Sequence, residues 1–279
     1  MQGIGTNRTV RFLLYIFLGV FLLIQAFPLL WTVLFSLKSS SEIVTRGALA
    51  LPERFLIENY IVAWHTARVS TYFFNSLFVT SITVIATMAL SCPAAYAIAR
   101  MRWKLARPVM FFFMAGLMVP IHVTLIPLFV MLSNLRLLGL YLGILLPYIT
   151  VGLPLGIFIT VNFLRSMPRE LEEAAVIDGC DLPGVFVRIV VPVSTPALST
   201  IGIFAFLHTW NEFIMASTFI RNRNMRTLPV GIRAFMGEYL IEWGPLGAAI
   251  IISSVPLFLM YAFFSEQVER SMLAGSVLK

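Results

Sequence analysis

The chain has 279 residues, 59% of them hydrophobic and only 12% charged, with a mean hydropathy of +0.91. Soluble domains carry roughly a quarter charged residues, so a water-soluble fold is excluded and residues 1–279 read as a single transmembrane domain. The net charge of +7 calls for no nucleic acid, because most basic residues flank apolar runs, where they act as topology signals.

An apolar helix of about 20 residues crosses the hydrocarbon of a bilayer. Stretches 12–37, 72–99, 109–132, 138–164, 196–220 and 244–264 meet that requirement, which predicts an all-α integral membrane protein with about six transmembrane helices. Arg8 and Arg11 precede the first stretch. That stretch is longer than the roughly 7–15 apolar residues of a secretory signal and has no obvious A-x-A cleavage site, so it reads as an uncleaved span. Arg100, Arg102, Lys104 and Arg107 crowd the short connection after the second stretch and place it in the cytoplasm. An even number of spans then puts both termini there, together with Arg165, Arg169 and Arg188. The opposite loops carry Lys38, Arg46, Arg54, Arg68, Arg221, Arg223, Arg226 and Arg233, which long loops tolerate better than short ones. Cys92, Cys180, His65, His122 and His208 are scattered without metal-ligand or disulfide spacing, so no metal site is expected.

Between the fourth and fifth stretches, in the loop 165–192, residues Ser166 to Pro183 are the least apolar part of the interior sequence. Pro168 suits a first helical position, Glu170, Glu172 and Glu173 favour the positive end of a helix dipole, and Gly179 fits a left-handed C-terminal cap. Leu171, Ala174 and Ala175 recur at the spacing of one helix face, and alanines there allow close approach of another surface. A second helical stretch starts near Leu182, and Pro192 and Pro196 set the angle into the fifth span. Periodicity alone favours a surface helix that merely joins two spans.

In the fifth stretch, Glu212 is the one carboxylate inside an apolar span, a costly residue that usually faces a cavity or a protein partner. His208 lies four residues earlier and Asn211 is adjacent, so the three can share one side of a helix. One reading has this cluster hydrogen-bond a polyhydroxylated solute, with Trp210 as a stacking platform. The other has Glu212 and Asn211 hydrogen-bond neighbouring helices. The residues leave both open.

Glu173-Ala174-Ala175, three residues, Gly179, nine residues, Ile189, two residues and Pro192 resembles the EAA loop of ABC-importer permeases, with Val191 where that pattern has leucine. Asn75-Ser-Leu77, the stretch from Ala94 to Arg100, Leu145-Leu-Pro-Tyr148, Trp210-Asn-Glu-Phe213, Thr227-Leu-Pro-Val-Gly231 and the terminal Ala274 to Lys279 are similar to the carbohydrate, maltose-type branch of that family. The resemblance covers nearly the whole chain. It implies a type I importer permease in a prokaryotic cell membrane, forming half of a pathway for a sugar, or for glycerol-phosphate or another polyol. It also implies a coupling helix in which Glu172, Glu173, Ala174, Ala175, Asp178, Gly179, Ile189 and Pro192 engage an ATPase. The partners implied are a homologous second permease, a cytoplasmic ATPase dimer that binds ATP and Mg, an extracytoplasmic solute-binding protein and membrane lipid. The chain has no G-x-x-x-x-G-K-[ST] phosphate loop, so no cofactor is expected on this subunit and it is not an enzyme. An ion-coupled secondary transporter working alone would leave the acidic loop unexplained and Glu212 without a counterpart. An integral membrane enzyme lacks a visible catalytic constellation.

Overall fold

The computed structural model describes residues 8–237 and 241–276. Among them every long element is helical, and extended pairing is confined to one bridge between Met236 and Ile241. Lipid offers backbone groups no hydrogen-bond partner, so a spanning segment has to satisfy them within itself. The chain divides into two compact units. One runs to Val69 and adds Ile232–Ser254; the other comprises Ser70–Gly231 and the chain from Val255 onward.

In the first unit, α1 (Arg8–Ser36) exposes apolar side chains along nearly its whole length, and α2 (Ser40–Arg46) follows at once, capped by Ser39. Lys38, expected on an aqueous loop, is 1% exposed. Its ammonium donates to the carbonyls of Ala48, at 3.1 Å, and Ala50. Asn59 Nδ2 donates to the carbonyls of Ser36 and Lys38, which closes the loop around the buried charge.

The second unit holds α3 (Val69–Arg100, bordering the first unit), α4 (Ala106–Met118), α5 (Leu125–Asn134), α6 (Leu142–Ser166), α7 (Glu170–Ile177), α8 (Leu182–Val193), α9 (Thr195–Asn211) and α10 (Ile214–Phe219). The last helix, α11 (Trp243–Ser276), contributes its residues to Ser254 to the first unit and the rest to the second. Among the described residues four helices are long and apolar enough to cross a membrane, or up to six when each bent pair is counted as one span.

Two expected spans differ in shape. The third bends by 91° between α4 and Ile121–Asn134, because Pro120 holds Val119 in an extended conformation (φ −80°, ψ 116°). The fifth stops at Asn211, where Glu212 turns extended (ψ 126°) before α10 begins. Its 17 helical residues reach about 25 Å at 1.5 Å each. At the other end of α9 the chain turns by 69° relative to α8, in keeping with the flanking Pro192 and Pro196.

Ser76, Thr80, Thr83, Thr87 and Ser91 recur at helical spacing along α3 and are all buried, and Thr87 and Ser91 form a close seam with α6. A Cβ added to Gly152 would lie 3.1 Å from Thr87 Oγ1, and one on Gly156 would lie 3.0 Å from Ser91 Oγ. Membrane helices associate through such small-residue contacts because lipid provides no hydrophobic drive between them.

Candidate functional site

In the acidic loop, α7 begins at Glu170, two residues after Pro168, with three carboxylates in its first turn. It ends as the glycine predicts. Gly179 has φ +86°, its N–H reaches the carbonyl of Val176 at 3.0 Å, and the N–H of Cys180 reaches that of Ala175 at 2.9 Å. This pair of bonds satisfies carbonyls that a helix end leaves open. No atom lies within 4 Å of a Cβ placed on Gly179, so its requirement is conformational, not spatial.

The face proposed from periodicity is divided. Ala175 is buried, whereas Leu171 and Ala174 stay exposed, the leucine at 45%. Glu172 turns inward beside Ala175, and Glu173, Ala174, Val176 and Ile177 turn outward, Ile177 being 85% exposed. The buried side rests on a cluster of Ala95, Tyr96, Met110, Leu164, Val185 and Val190, with Ile189 packed against it. Asp178, Gly179 and Pro192 are exposed. The eight loop positions thus separate into an outer group and an inner one comprising Glu172, Ala175 and Ile189. A cleft of about 360 Å³ runs along the loop, lined by Tyr96, Glu172, Glu173, Val176, Ile177 and Leu182 among others.

Sequence reasoning missed the partners of Glu172. Arg100 Nε lies 2.7 Å from Glu172 Oε1, an ion pair whose angle departs from that of a hydrogen bond, with the side chains 7% and 14% exposed. Tyr96 Oη donates to Glu172 Oε2 at 3.2 Å, and Arg100 Nη2 donates to the carbonyl of Met167 at 2.7 Å. The available signal was a tyrosine and an arginine four residues apart in the closing turns of α3, where they share one helix face.

The second candidate site is a cleft of about 530 Å³ lined by His122, His208, Asn211, Glu212 and Phe213, with aliphatic side chains. His122, which the sequence reading set aside, reaches it from the turn after the α4 bend. Glu212 does not lie within a helix. It ends α9 and accepts hydrogen bonds from the backbone N–H of Met215 (2.7 Å) and Ala216 (3.1 Å) and from Tyr148 Oη (2.5 Å). Its carboxylate therefore starts α10 and ties it to α6, the helix-fixing role of the two readings. Asn211 Nδ2 bonds back to the carbonyl of Leu207 at 2.9 Å. Trp210 is 2% exposed, stacked on Phe206 at 5.6 Å and edge-on to Phe73 at 5.6 Å. The structure thus places it in helix packing and outside the residues that line the cleft. His208 lines this cleft and also a neighbouring cavity of about 260 Å³ with Thr83, Thr87, Tyr148 and Thr209.

Two further stretches marked in the sequence are partners of one another. Asn75 Nδ2 donates to the carbonyls of Asn224 (2.8 Å) and Arg226 (2.9 Å), Tyr141 Oη donates to Asn75 Oδ1 (2.8 Å), and the N–H of Leu228 donates to Ser76 Oγ (2.7 Å). A Cβ on Gly231 would fall 2.0 Å from the Tyr72 ring, so only glycine fits. Of the terminal stretch, residues 277–279 lie outside the described residues. Among the described residues no group of histidine, cysteine and acidic side chains has metal-binding geometry.

The family described as "Binding-protein-dependent transport system inner membrane component" matches residues 88–274. The chain is 36% identical over 263 residues to the probable ABC transporter permease protein YurM of Bacillus subtilis (strain 168), covering 94% of this chain and 87% of the relative. It is 34% identical over 275 residues to the sulfoquinovosyl glycerol transport system permease protein SmoH of Agrobacterium fabrum, covering 99% and 96%. Among solved structures, a chain of a bacterial ABC transporter involved in import of the acidic polysaccharide alginate superposes with a TM-score of 0.83, at 21% identity, over 95% of this chain and 99% of that one. The fold is that of an ABC-importer permease, and the chain belongs to the family of binding-protein-dependent transport system inner membrane components.

Proposed function

We propose that this permease forms half of a transmembrane route for a mono- or oligosaccharide, and that residues 165–192 dock on a separate cytoplasmic ATPase. The outward face of α7 carries the reading: Glu173, Ala174, Val176 and Ile177 are presented to solvent, while Glu172 and Ala175 hold the helix from behind. An apolar ridge rimmed by carboxylates suits a groove with an apolar floor and basic edges. In the proposed topology both termini and this loop face the cytoplasm. ATP and Mg act on the ATPase dimer, with no cofactor on this subunit. A homologous second permease completes the pathway, and an extracytoplasmic binding protein delivers the solute. The sugar assignment is supported by the carbohydrate-branch stretches of the sequence and by the Agrobacterium relative named for sulfoquinovosyl glycerol.

Within the membrane, His208 and Asn211 line the cleft beside the break at Glu212. Their donors and acceptors suit hydroxyl groups. Glu212 itself accepts hydrogen bonds from three neutral donors, which fits a residue that shapes the cleft. The test is reconstitution of the four-component complex in proteoliposomes, with a panel of sugars and polyols on the binding protein. The expected result is ATP hydrolysis and uptake stimulated by a sugar, both lost in Glu173→Lys. Unchanged stimulation in that variant, with the complex intact, would sink the docking role; stimulation by a polyol alone would overturn the sugar assignment.

A further inference from the structure

We propose that Arg100 is the positioning residue that makes the docking loop and the membrane helices move as one body. The inference rests on the proposed docking of residues 165–192 on an ATPase. A helix of eight residues has little stability of its own, and Ala175 is the one buried residue within α7. An alanine methyl supplies little apolar contact, so burial alone leaves the orientation of α7 weakly fixed. The guanidinium supplies what burial does not. It sits in the last turn of α3, donates through Nη2 to the carbonyl of Met167 immediately after α6, and pairs through Nε with Glu172 in the first turn of α7. One planar group thereby joins the ends of three helices, with Tyr96 holding the second oxygen of Glu172.

The choice of residue follows. A guanidinium is planar and rigid, so Arg100 can aim Nη2 at the Met167 carbonyl while its charge stays against Glu172, which a lysine ammonium on a flexible stem does not hold in one geometry. Buried ion pairs add little net stability compared with apolar replacements, so stability alone is a poor reason for this group. Geometry is a better one. If α7 pivoted on its connections, movement imposed by the ATPase would be absorbed in the loop. The fork carries that movement to α3 and α6 together.

The test uses the complete complex, with assembly followed by co-purification of the ATPase and coupling followed as solute imported per ATP hydrolysed. Arg100→Lys is expected to assemble and to lower that ratio roughly tenfold, within the range of allosteric coupling energies. A purely structural role would lower uptake and hydrolysis together and leave the ratio unmoved, and that result would overturn the proposal. If the lysine variant does not assemble, Glu172→Gln decides, because it keeps the shape of the side chain and an acceptor for Tyr96 but removes the charge that pairs with Arg100. A lowered ratio supports the positioning role, and an unmoved ratio overturns it. Absence of solute-stimulated hydrolysis in the unmodified complex would instead count against the docking reading itself.

Discussion

The acidic loop and the membrane cleft each hold a carboxylate in a low-water setting, yet they satisfy it in different ways. Glu172 pairs with a cation, Arg100, and takes one neutral hydrogen bond from Tyr96. Glu212 meets no cation among its hydrogen-bond partners and takes three bonds from two backbone N–H groups and a tyrosine hydroxyl. The first arrangement fixes direction between separate helices but leaves a bare charge when one member is lost. The second spreads the negative charge over neutral dipoles at a helix start, so it degrades in steps.

That contrast sets an order of effects. Arg100→Met strands the Glu172 carboxylate and is expected to cost about 3–5 kcal/mol, visible as a large drop in the thermal unfolding midpoint in detergent; a small drop would mean that water reaches the pair. Glu212→Ala removes an acceptor from three donors at once and is expected to cost on the order of 1–3 kcal/mol, with loss of protection of the α10 amides in hydrogen exchange. Gly179→Ala forces an L-residue to positive φ, about 1–2 kcal/mol, and because the site is open no steric cost adds to it. Tyr148→Phe deletes one of three bonds to Glu212 and is expected to cost about 0.5–1.5 kcal/mol. If that loss equals the Glu212→Ala loss, the stepwise picture fails. Glu173→Gln, on the exposed face, is expected to leave the unfolding midpoint within about 0.5 kcal/mol while reducing solute-stimulated ATP hydrolysis.

The same contrast explains what was legible from residue order. Apolar runs located the spans because the bilayer imposes their length. The corner before α9 was legible from Pro192 and Pro196, but the breaks at Pro120 and Glu212 were not. Pro93, Pro147, Pro154 and Pro256 lie inside continuous helices, whereas Pro120 sits at a 91° bend, and membrane helices tolerate proline wherever neighbours repair the freed carbonyl. Gly179 was legible because its cap is a local event. Glu172 and Glu173 are adjacent and chemically identical, and which of them turns inward depends on Arg100, contributed by another helix. Trp210 illustrates the same limit: Phe206, four residues away, is a local neighbour, but Phe73 comes from α3 and takes the ring into packing.

The seam between α3 and α6 bears on how motion in this protein is to be measured. Gly152 and Gly156 bring α6 so close to Thr87 and Ser91 that a Cβ on either would sit 3.0–3.1 Å from a side-chain oxygen. A pair of spectroscopic labels placed across that seam is expected to report a constant separation throughout turnover. It offers an internal ruler, against which any displacement of α9 beyond its 69° corner can be read in ångströms.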